Sequence, residues 1–377
     1  MATWGSHFPV GVFIDGNNPG DATPTLAQRL VAADLPYALF VNNMPATEPT
    51  NHLIETLDDA GVYTVPAPFG RVVVSGDDLG TTWFWPQTPP VRSQAPAKAQ
   101  PIVDVYAPFP RVLAFNLWDD ASSFNGSAPR AVTLSDGFEY ADPNRPASGT
   151  MTDTKAIGMQ TGPLVLTYEY PCGQKADGSL APEGDFKRAT YQGRDFYEMV
   201  RAKVGAARPG TTVWMALQAH GARSGFIPTV PTGLREPTAR EMRMQFWQAI
   251  GEGVKGVFWF IWGTQQFWRG LGDPARADCL SVATELSGRL TSDIKTALLG
   301  CERAPDLFKA SNAYVSTLRS ADGSYYVVVC NTTLSTASIA VTGLAGTLVN
   351  LESGQTTAVG GAVSLPALDG SLWRWMS

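Results

Sequence analysis

The sequence predicts an α/β fold, a (β/α)8 TIM barrel followed by a small antiparallel β-sandwich, from three observations. Strand-like apolar runs alternate with amphipathic helical segments over roughly 300 residues. One of these runs, Val112–Asp120, is almost continuously apolar until it ends in Trp118 and two carboxylates. From about Asp306 the pattern changes to short alternating strands with turn residues between them. We therefore expect a barrel domain at 1–305 and a sandwich domain at 306–377.

Eight segments have the composition of barrel strands. In chain order they are Val10–Asp15, Tyr37–Asn43, Val62–Pro66, Val112–Asp120, Ala147–Met151, Pro163–Tyr170, Thr212–His220 and Val254–Trp262. Helical spacing predicts the helices Thr23–Ala33, Thr50–Ala60, Ala131–Tyr140, Asp195–Ala207, Thr238–Gly251 and Leu286–Leu299. Thr238 and Glu241 have the spacing of a capping box. A doubly wound open sheet is the alternative, but no G-x-G-x-x-G follows the first strand, which argues against a dinucleotide enzyme.

The segment 69–110 interrupts this alternation. It is rich in proline, glycine and aromatic residues, and its middle, Pro86–Pro101, has the composition of an exposed loop. Loops of this length in a compact domain are usually functional or disordered. We expect this segment to form a lid or a wall of a cleft.

Six short alternating segments predict the sandwich. They are Asn312–Arg319, Tyr325–Asn331, Ala337–Val341, Gly346–Leu351, Ala362–Leu365 and Leu372–Met376. None of them gathers catalytic residue types. We expect this domain to pack against the barrel, with sugar binding as the alternative role.

The bulk composition excludes several classes of function. The 377 residues carry a net charge of −6 without a basic block, which argues against nucleic-acid or anionic-membrane partners. No apolar run reaches the ~18 residues of a membrane span. Four cysteines without C-x-x-C spacing and three scattered histidines argue against a zinc site, although Cys279 and Cys301 could pair. No cofactor is expected.

The first residues lack the charged and apolar regions of a secretory signal peptide. The first predicted strand begins almost at Met1. We therefore expect the chain to be an excised module of a longer protein, for which a cell surface or a phage tail is one setting.

Five motifs follow one another in a fixed order. PRVLAFNLWDD ends a buried strand in carboxylates, ADPNRPASG is an Asp-Pro-x-Arg-Pro turn, LVLTYEYP and TVWMALQAHG are strands, and REPTAREMRMQFWQAIGEGVKGVFWFIWG joins a Pro-Thr-x-x-Glu helix to a strand ending in tryptophan. Together they resemble strands four to eight of clan A (β/α)8 glycoside hydrolases with a C-terminal β-sandwich. The architecture covers about Val10 to Met376, and the sharp motifs lie between Pro110 and Gly263. The resemblance implies hydrolysis of a poly- or oligosaccharide.

The sequence departs from this family at two positions. Strand four ends in Asp119 and Asp120, where the family usually has a glutamate as general acid. Strand seven has Gln218, where retaining members usually have a nucleophilic glutamate. Either the catalytic pair has moved to other strands, or catalysis has been lost.

Glycoside cleavage requires one carboxyl group that protonates the leaving oxygen and a second that attacks or activates water. The resemblance to α-glycosidase families that use strands four and six predicts Asp120 and Glu169 as this pair. Two alternatives stay open from the residues themselves. Asp119 or Asp120 could cap the next helix. Glu169 could form a structural ion pair or point away from the lumen, because side chains alternate along a strand.

The remaining polar and aromatic strand-end residues are predicted to contact the sugar. They are Asp15, Asn17, Asn43, Trp118, Asp119, Tyr168, Tyr170, Gln218, His220 and Trp262. Core packing is the alternative for each aromatic side chain. Two other functions compete with hydrolysis: a non-catalytic carbohydrate-binding or structural barrel, and a metal-dependent hydrolase with ligands from Asp15, Asp119, Asp120 and His220, which lacks the usual His-x-His spacing.

Overall fold

The computed structural model describes residues 4–15, 25–41, 48–68, 95–124, 126–222, 233–264 and 268–377. The chain forms two compact units. The barrel unit comprises Met1–Tyr168, Gly205–Ala216 and Gly256–Gln265, and the sandwich unit comprises Glu169–Val204, Leu217–Lys255 and Gln266–Ser377. These units are each made of several segments, whereas the expected boundary at residue 305 divides the chain into two continuous parts, and that boundary stays a prediction.

The first eleven strands supply the barrel and one small ribbon. They are β1 (Val10–Asp15), β2 (Tyr37–Val41), β3 (Tyr63–Val65), β4 (Phe115–Asn116), β5 (Ala147–Ser148), β6 (Thr150–Met151), β7 (Leu164–Glu169), β8 (Thr212–Gln218), β9 (Gly221–Ala222), β10 (Val257–Phe260) and β11 (Trp268–Arg269). The ribbon is the antiparallel pair of β9 and β11.

Parallel strand pairing closes the barrel into a ring. Seven strands form one sheet in the order β3-β2-β1-β10-β8-β7-β6. The segment around β4 closes the gap, because Val112 bridges Thr64 of β3 and Phe115 pairs with Ala147 of β5, which continues into β6. The eight predicted strands are therefore confirmed, with β5 and β6 together forming the fifth, and the open-sheet alternative is wrong.

The helices of the described residues follow the strands as the sequence predicts, with three differences. They are α1 (Thr25–Ala32), α2 (Glu48–Asp59), α3 (Ala95–Tyr106), α4 (Ser127–Ala141), α5 (Thr154–Met159), α6 (Phe196–Ala206), α7 (Ala239–Gly251), α8 (Ala277–Arg289) and α9 (Ser292–Leu299). The capping box of Thr238 and Glu241 is confirmed at the start of α7. None of these helices is long and apolar enough to cross a membrane.

The first difference is α5, a short helix that the sequence analysis did not predict. The other two concern the predicted helix Leu286–Leu299 and the predicted loop Pro86–Pro101. The single predicted helix Leu286–Leu299 is two helices, because the Thr291 hydroxyl accepts a hydrogen bond from the Ile294 amide and starts α9 anew. Helix α3 occupies part of the predicted exposed loop, although it contains Pro101. Its residues Ala99, Ile102, Val103 and Tyr106 are buried at helical spacing, so apolar packing outweighs the helix-breaking tendency of proline. Residues 69–94 of the expected lid lie outside the described residues.

The barrel interior is filled by apolar side chains from every part of the ring. This core consists of Phe13, Leu39, Val65, Leu113, Ala114, Leu164, Leu166, Trp214, Ala216 and Phe258. Gly11 lies one inward-facing position before Phe13. A Cβ atom at Gly11 would lie 2.1 Å from the carbonyl oxygen of Tyr37 on the neighbouring strand β2. Only glycine permits the observed spacing of β1 and β2 there.

The sandwich unit contains two antiparallel layers. Its strands are β12 (Cys301–Arg303), β13 (Phe308–Lys309), β14 (Tyr314–Ser320), β15 (Tyr325–Cys330), β16 (Ala337–Ala340), β17 (Thr342–Gly343), β18 (Thr347–Asn350), β19 (Thr356–Ala358), β20 (Ala362–Leu365) and β21 (Gly370–Met376). Six of them form a sheet in the order β12-β14-β15-β21-β18-β19. The antiparallel pair of β16 and β20 covers it, since Ile339 and Val363 share a core with Val327 and Trp373. The predicted sandwich is confirmed.

A buried carboxylate joins α7 to this sheet within the sandwich unit. Glu252, at the end of α7, is fully buried and accepts hydrogen bonds from Arg201 (2.8 Å), Arg303 (3.1 Å) and the Tyr314 hydroxyl (2.8 Å). These donors come from α6, β12 and β14. The negative charge is therefore compensated by two cations and one neutral donor.

All four cysteines are buried free thiols. The disulfide between Cys279 and Cys301 that the sequence left open is not formed. Burial raises the pKa of Cys279 to about 12 and that of Cys301 to about 11, so both stay protonated near neutral pH.

The substitution Gly11→Ala is expected to destabilise the protein by about 2 kcal/mol or more, because its methyl group meets backbone atoms of β2. Chemical denaturation measures this change. Gly205→Ala in α6 is the matched control, since nothing lies within 4 Å of the added Cβ and alanine favours a helix, so stability should rise by about 0.5 kcal/mol. Equal stability of Gly11→Ala and wild type would contradict the close approach.

Candidate active site at the carboxyl ends of the barrel strands

The strand that ends in Asp119 and Asp120 carries a bulge against its neighbour. The amide of Leu117 donates to the carbonyl of Ser148, and the amide of Ala121 donates to the carbonyl of Thr150. The donors are four positions apart and the acceptors two, so two extra residues are extruded from this strand. Asp119 and Asp120 are the residues between Trp118, whose carbonyl accepts from the Thr150 amide, and Ala121, where the regular ladder resumes. Bulges of this kind re-aim side chains beside active sites.

Asp120 adopts a left-handed backbone conformation in this bulge. Its φ is 53°, and its side chain is exposed, whereas that of Asp119 is half-buried. A non-glycine residue in this region costs about 1 kcal/mol, although aspartate tolerates it better than most residues. Such local strain is typical of functional sites.

Neither of these carboxylates caps the following helix. The residue that precedes α4 is Gly126, and no side chain forms a cap there. The capping alternative for Asp119 and Asp120 is therefore wrong.

A different carboxylate, Asp153 at the start of α5, fixes the loop behind the bulge. Asp153 accepts hydrogen bonds from the amide and hydroxyl of Ser123 (2.9 and 2.8 Å) and from the amide of Ala156 (2.9 Å). Burial acts to raise the pKa of Asp153, but these hydrogen bonds outweigh it and lower the pKa below its usual value. The bulge is thus held between a paired strand and an anchored loop.

Asp15 ends strand β1 on the lumen side. It lies two positions after Phe13, which belongs to the barrel core, so both side chains occupy the same face of the strand. Asp15 itself is half-buried. The barrel unit therefore offers Asp15, Asp119 and Asp120 at strand ends.

The aromatic candidates of the barrel unit differ in their exposure. Tyr168 and Trp118 are half-buried, and Tyr168 packs against the barrel core. Trp262 is only 1% exposed, and the guanidinium of Arg29 lies 4.8 Å from its ring centroid. Trp262 thus lacks the open face of a sugar platform, whereas Trp118 and Tyr168 retain part of theirs.

Glu169 does not have the environment that its predicted role requires. Leu164, Leu166 and Tyr168 face the barrel core, so the alternation along β7 directs Glu169 to the opposite side. There its carboxylate forms an ion pair of 2.8 Å with Lys203 of α6, and both side chains are buried. The structural ion pair that the sequence left open is the observed arrangement.

The buried side chain of Tyr191 lies beside the Glu169–Lys203 ion pair. Burial, and then the charge of Glu169, raise the pKa of the Tyr191 hydroxyl well above its usual value. The phenol therefore stays protonated beside the carboxylate. An acid committed to an ammonium group in this way is poorly suited to donate a proton to a substrate.

Gln218, at the end of β8, the seventh strand of the barrel, is also held by hydrogen bonds within the fold. Its side-chain oxygen accepts from the amide of Cys172 (2.7 Å), and its amide group donates to the carbonyls of Cys172, His220 and Arg235 (3.0, 3.0 and 2.8 Å). Three carbonyl acceptors require an N–H donor at this atom. A glutamate here would place a carboxylate oxygen against them.

Two further predicted residues form an aromatic cluster in the sandwich unit. The ring of His220 lies 4.9 Å from that of Tyr170 and 4.9 Å from that of Trp268. His220 is fully buried, while Tyr170 and Trp268 are half-buried. The cluster presents aromatic edges but gives His220 no open access.

Asn17 and Asn43 lie outside the described residues. Among the residues that the structure describes, no group of three or more His, Cys, Asp and Glu side chains is placed to hold a metal ion.

Sequence reasoning missed Lys203 and Asp153. Lys203 had a detectable signal, because it follows Phe196 and Val200 at the i, i+4, i+7 spacing of the buried face of α6. A charged residue on such a face requires a partner of opposite charge. Asp153 follows a short strand and precedes a short helix, which is a recognisable N-cap position.

Comparisons with known proteins add a fold relationship. No protein-family model matches this sequence, and no curated protein matches it significantly. A family 5 glycoside hydrolase from Bacteroides vulgatus is similar in structure with a TM-score of 0.60 and 11% identity, over 98% of this chain and 90% of that chain. A family 27 β-L-arabinopyranosidase from Geobacillus stearothermophilus gives 0.55 and 11%, over 100% and 98%.

A third structure, a glycoside hydrolase, gives a TM-score of 0.59 and 12% identity, over 98% of this chain and 92% of that chain. The TM-scores establish a common fold, whereas identities this low carry no information about activity. This chain has the fold of the TIM-barrel glycoside hydrolases, as the order of its sequence motifs predicts.

Proposed function

We propose that this protein is a glycoside hydrolase that cleaves a poly- or oligosaccharide with two carboxyl groups. The observation that carries the proposal is a closed barrel with two extruded carboxylates at the end of its fourth strand, one of which, Asp120, has a strained backbone conformation. The likeness to glycoside hydrolases over nearly the whole chain supports it. In barrels of this fold, catalytic groups lie at the carboxyl ends of strands.

Asp120 is the first candidate for one member of the pair, and Asp15 replaces Glu169 as the candidate for the other. Glu169 is less suitable because Lys203 occupies its carboxylate. Asp15 has the lumen-facing position that Glu169 lacks. Asp119 is the second candidate on strand four, because it is extruded together with Asp120.

The two carboxyl groups would act at opposite protonation states. A protonated carboxyl donates its proton to the glycosidic oxygen, and the ionised partner attacks the sugar or activates a water molecule. The half-buried Trp118 and Tyr168 would contribute apolar faces for the sugar ring.

A non-catalytic carbohydrate-binding barrel is the second candidate function. The observation that favours it is that the polar residues at the ends of β7 and β8, Glu169 and Gln218, bind other parts of the chain and stabilise the fold. Hydrolysis and binding differ in whether sugar ends are released, which the following variants test.

Asp120→Gly is expected to reduce hydrolysis by about 100- to 10,000-fold without loss of folding. Glycine adopts the left-handed conformation at position 120 without strain, so the variant removes the carboxyl group and keeps the bulge. The assay is release of reducing ends from starch, galactomannan, arabinoxylan, cellulose and peptidoglycan.

Asp34→Gly is the matched control, because Asp34 is also an exposed aspartate with positive φ, on the turn after α1. It should retain full activity. Unchanged hydrolysis in Asp120→Gly would remove Asp120 from the mechanism, and an inactive wild type on all five substrates would favour the binding barrel.

Glu169→Gln and Lys203→Met are each expected to lower stability by about 3 kcal/mol, because each leaves a buried partner without its counter-charge. The double variant should be less destabilised than the sum of the two. Denaturant unfolding of the four proteins measures this coupling. Arg240→Met, which breaks the half-exposed pair with Glu183, is the control and should cost less than about 1 kcal/mol.

The same variants test the role of Glu169 in hydrolysis. If Glu169 is structural, hydrolysis per folded molecule stays within a few fold of wild type. A loss of several hundredfold in Glu169→Gln at unchanged stability would restore Glu169 to the catalytic pair.

Gln218→Glu is expected to destabilise the protein by about 3 kcal/mol and to confer no new activity. The introduced carboxylate would face the carbonyls of Cys172, His220 and Arg235. Thermal unfolding and the reducing-end assay measure both effects. Gln355→Glu on the exposed sandwich surface is the control, and higher activity in Gln218→Glu would argue for a lost nucleophile.

A further inference from the structure

The sandwich unit contains a cavity that the proposed hydrolysis does not use. Its volume is about 640 Å³, within the roughly 300–1,000 Å³ that is usual for small-molecule sites. Its walls are formed by the segment 184–187, by α6 and α7, and by the first residues of β14 with the loop before it. All of its lining residues belong to the sandwich unit.

Polar groups line this cavity and are already held in place. The carboxylates of Asp185, Asp195 and Asp306 each pair with a cation of the chain, at 2.5, 3.7 and 2.5 Å. The carboxylates of Asp185 and Asp306 are thereby oriented, whereas Asp195 is held more loosely through its 3.7 Å contact. All three keep further lone pairs for additional donors. Burial raises the pKa of Asp195, which indicates that part of its hydration is lost.

A buried amide on the wall has spare acceptor capacity. Gln248 of α7 is 3% exposed, and its side-chain oxygen has no hydrogen-bond donor among the described residues. Buried amide oxygens without a donor are rare, and each one costs free energy. This oxygen has almost no accessible surface, so a ligand hydroxyl would reach it only after the cavity wall shifts.

Aromatic side chains provide an apolar face in the same cavity. The rings of Tyr197 and Tyr314 are 5.1 Å apart, and Arg201 lies 5.6 Å from the Tyr197 ring centroid. Arg201 is itself fixed by Glu252 through two hydrogen bonds of 2.8 and 3.0 Å. Tyr197 remains half-exposed, so its ring is partly available to a ligand.

We propose that this cavity binds a neutral saccharide unit at a site separate from the barrel. Fixed acceptors suit the hydroxyl groups of a sugar, and the tyrosine face suits its C–H groups. The two cations of the lining, Lys187 and Arg201, already pair with Asp195 and Glu252, which disfavours an anionic ligand. The carboxylates are neutralised by cations of the chain, which disfavours a metal ion.

The test uses the full chain with five neutral hexasaccharides as probes: maltohexaose, cellohexaose, xylohexaose, mannohexaose and galactohexaose. Binding is measured by isothermal titration and by saturation-transfer NMR, with hexagalacturonate as the anionic comparison. Two variants alter the cavity. Asn312→Trp blocks it from an exposed position, and Tyr197→Ala removes the aromatic face. Ser364→Trp, on the exposed face of β20, is the matched control for added bulk.

At least one neutral hexasaccharide should bind wild type and Ser364→Trp alike, and at least tenfold more weakly to both cavity variants. If the barrel also binds that sugar, Asn312→Trp removes one of two sites from the stoichiometry. The proposal is overturned if no neutral probe binds, if binding survives unchanged in Asn312→Trp, or if hexagalacturonate binds the cavity more tightly. These results do not depend on whether the barrel hydrolyses any sugar.

Discussion

The alternation of side chains along the closed barrel strands decides which carboxylates can meet a substrate. In a closed ring, one face of each strand points to the lumen and the other to the helix layer. Asp15 shares the lumen face with Phe13, whereas Glu169 lies opposite Tyr168 and pairs with Lys203. Whether a strand-end carboxylate faces the lumen, as Asp15 does, or the helix layer, as Glu169 does, therefore depends on a shift of one position along its strand.

Buried charge in the sandwich unit follows a consistent rule. Glu169 pairs with Lys203, Glu252 with Arg201 and Arg303, and all three interactions lie within 3.1 Å. Because an unpaired buried charge costs several kcal/mol, these residues are committed to stability. Among the described residues, the exposed Asp120 in its strained bulge forms no such buried ion pair, and this contrast makes it the stronger candidate for chemistry.

The sequence predicted most of the fold because period-two and helical patterns are local. All eight barrel strands and the capping box of Thr238 could be read from such patterns. Helix α3 could not, because Pro101 signals a break, while the packing that stabilises the helix comes from α4. The side of the strand on which Glu169 lies could not be predicted either, because the register of a strand end depends on the neighbouring strands.

The bulge of strand four offers a physical reason for its unusual residues. An aspartate is shorter than the glutamate of the resembling family by one methylene group, and so reaches about 1.5 Å less far from the backbone. The two extra residues, Asp119 and Asp120, move the backbone out of the ladder at the same point. A local change of backbone path can thereby compensate for a shorter side chain. The departure from the family pattern at strand four is therefore compatible with retained chemistry, whereas the amide at Gln218, bound by three carbonyls, is not.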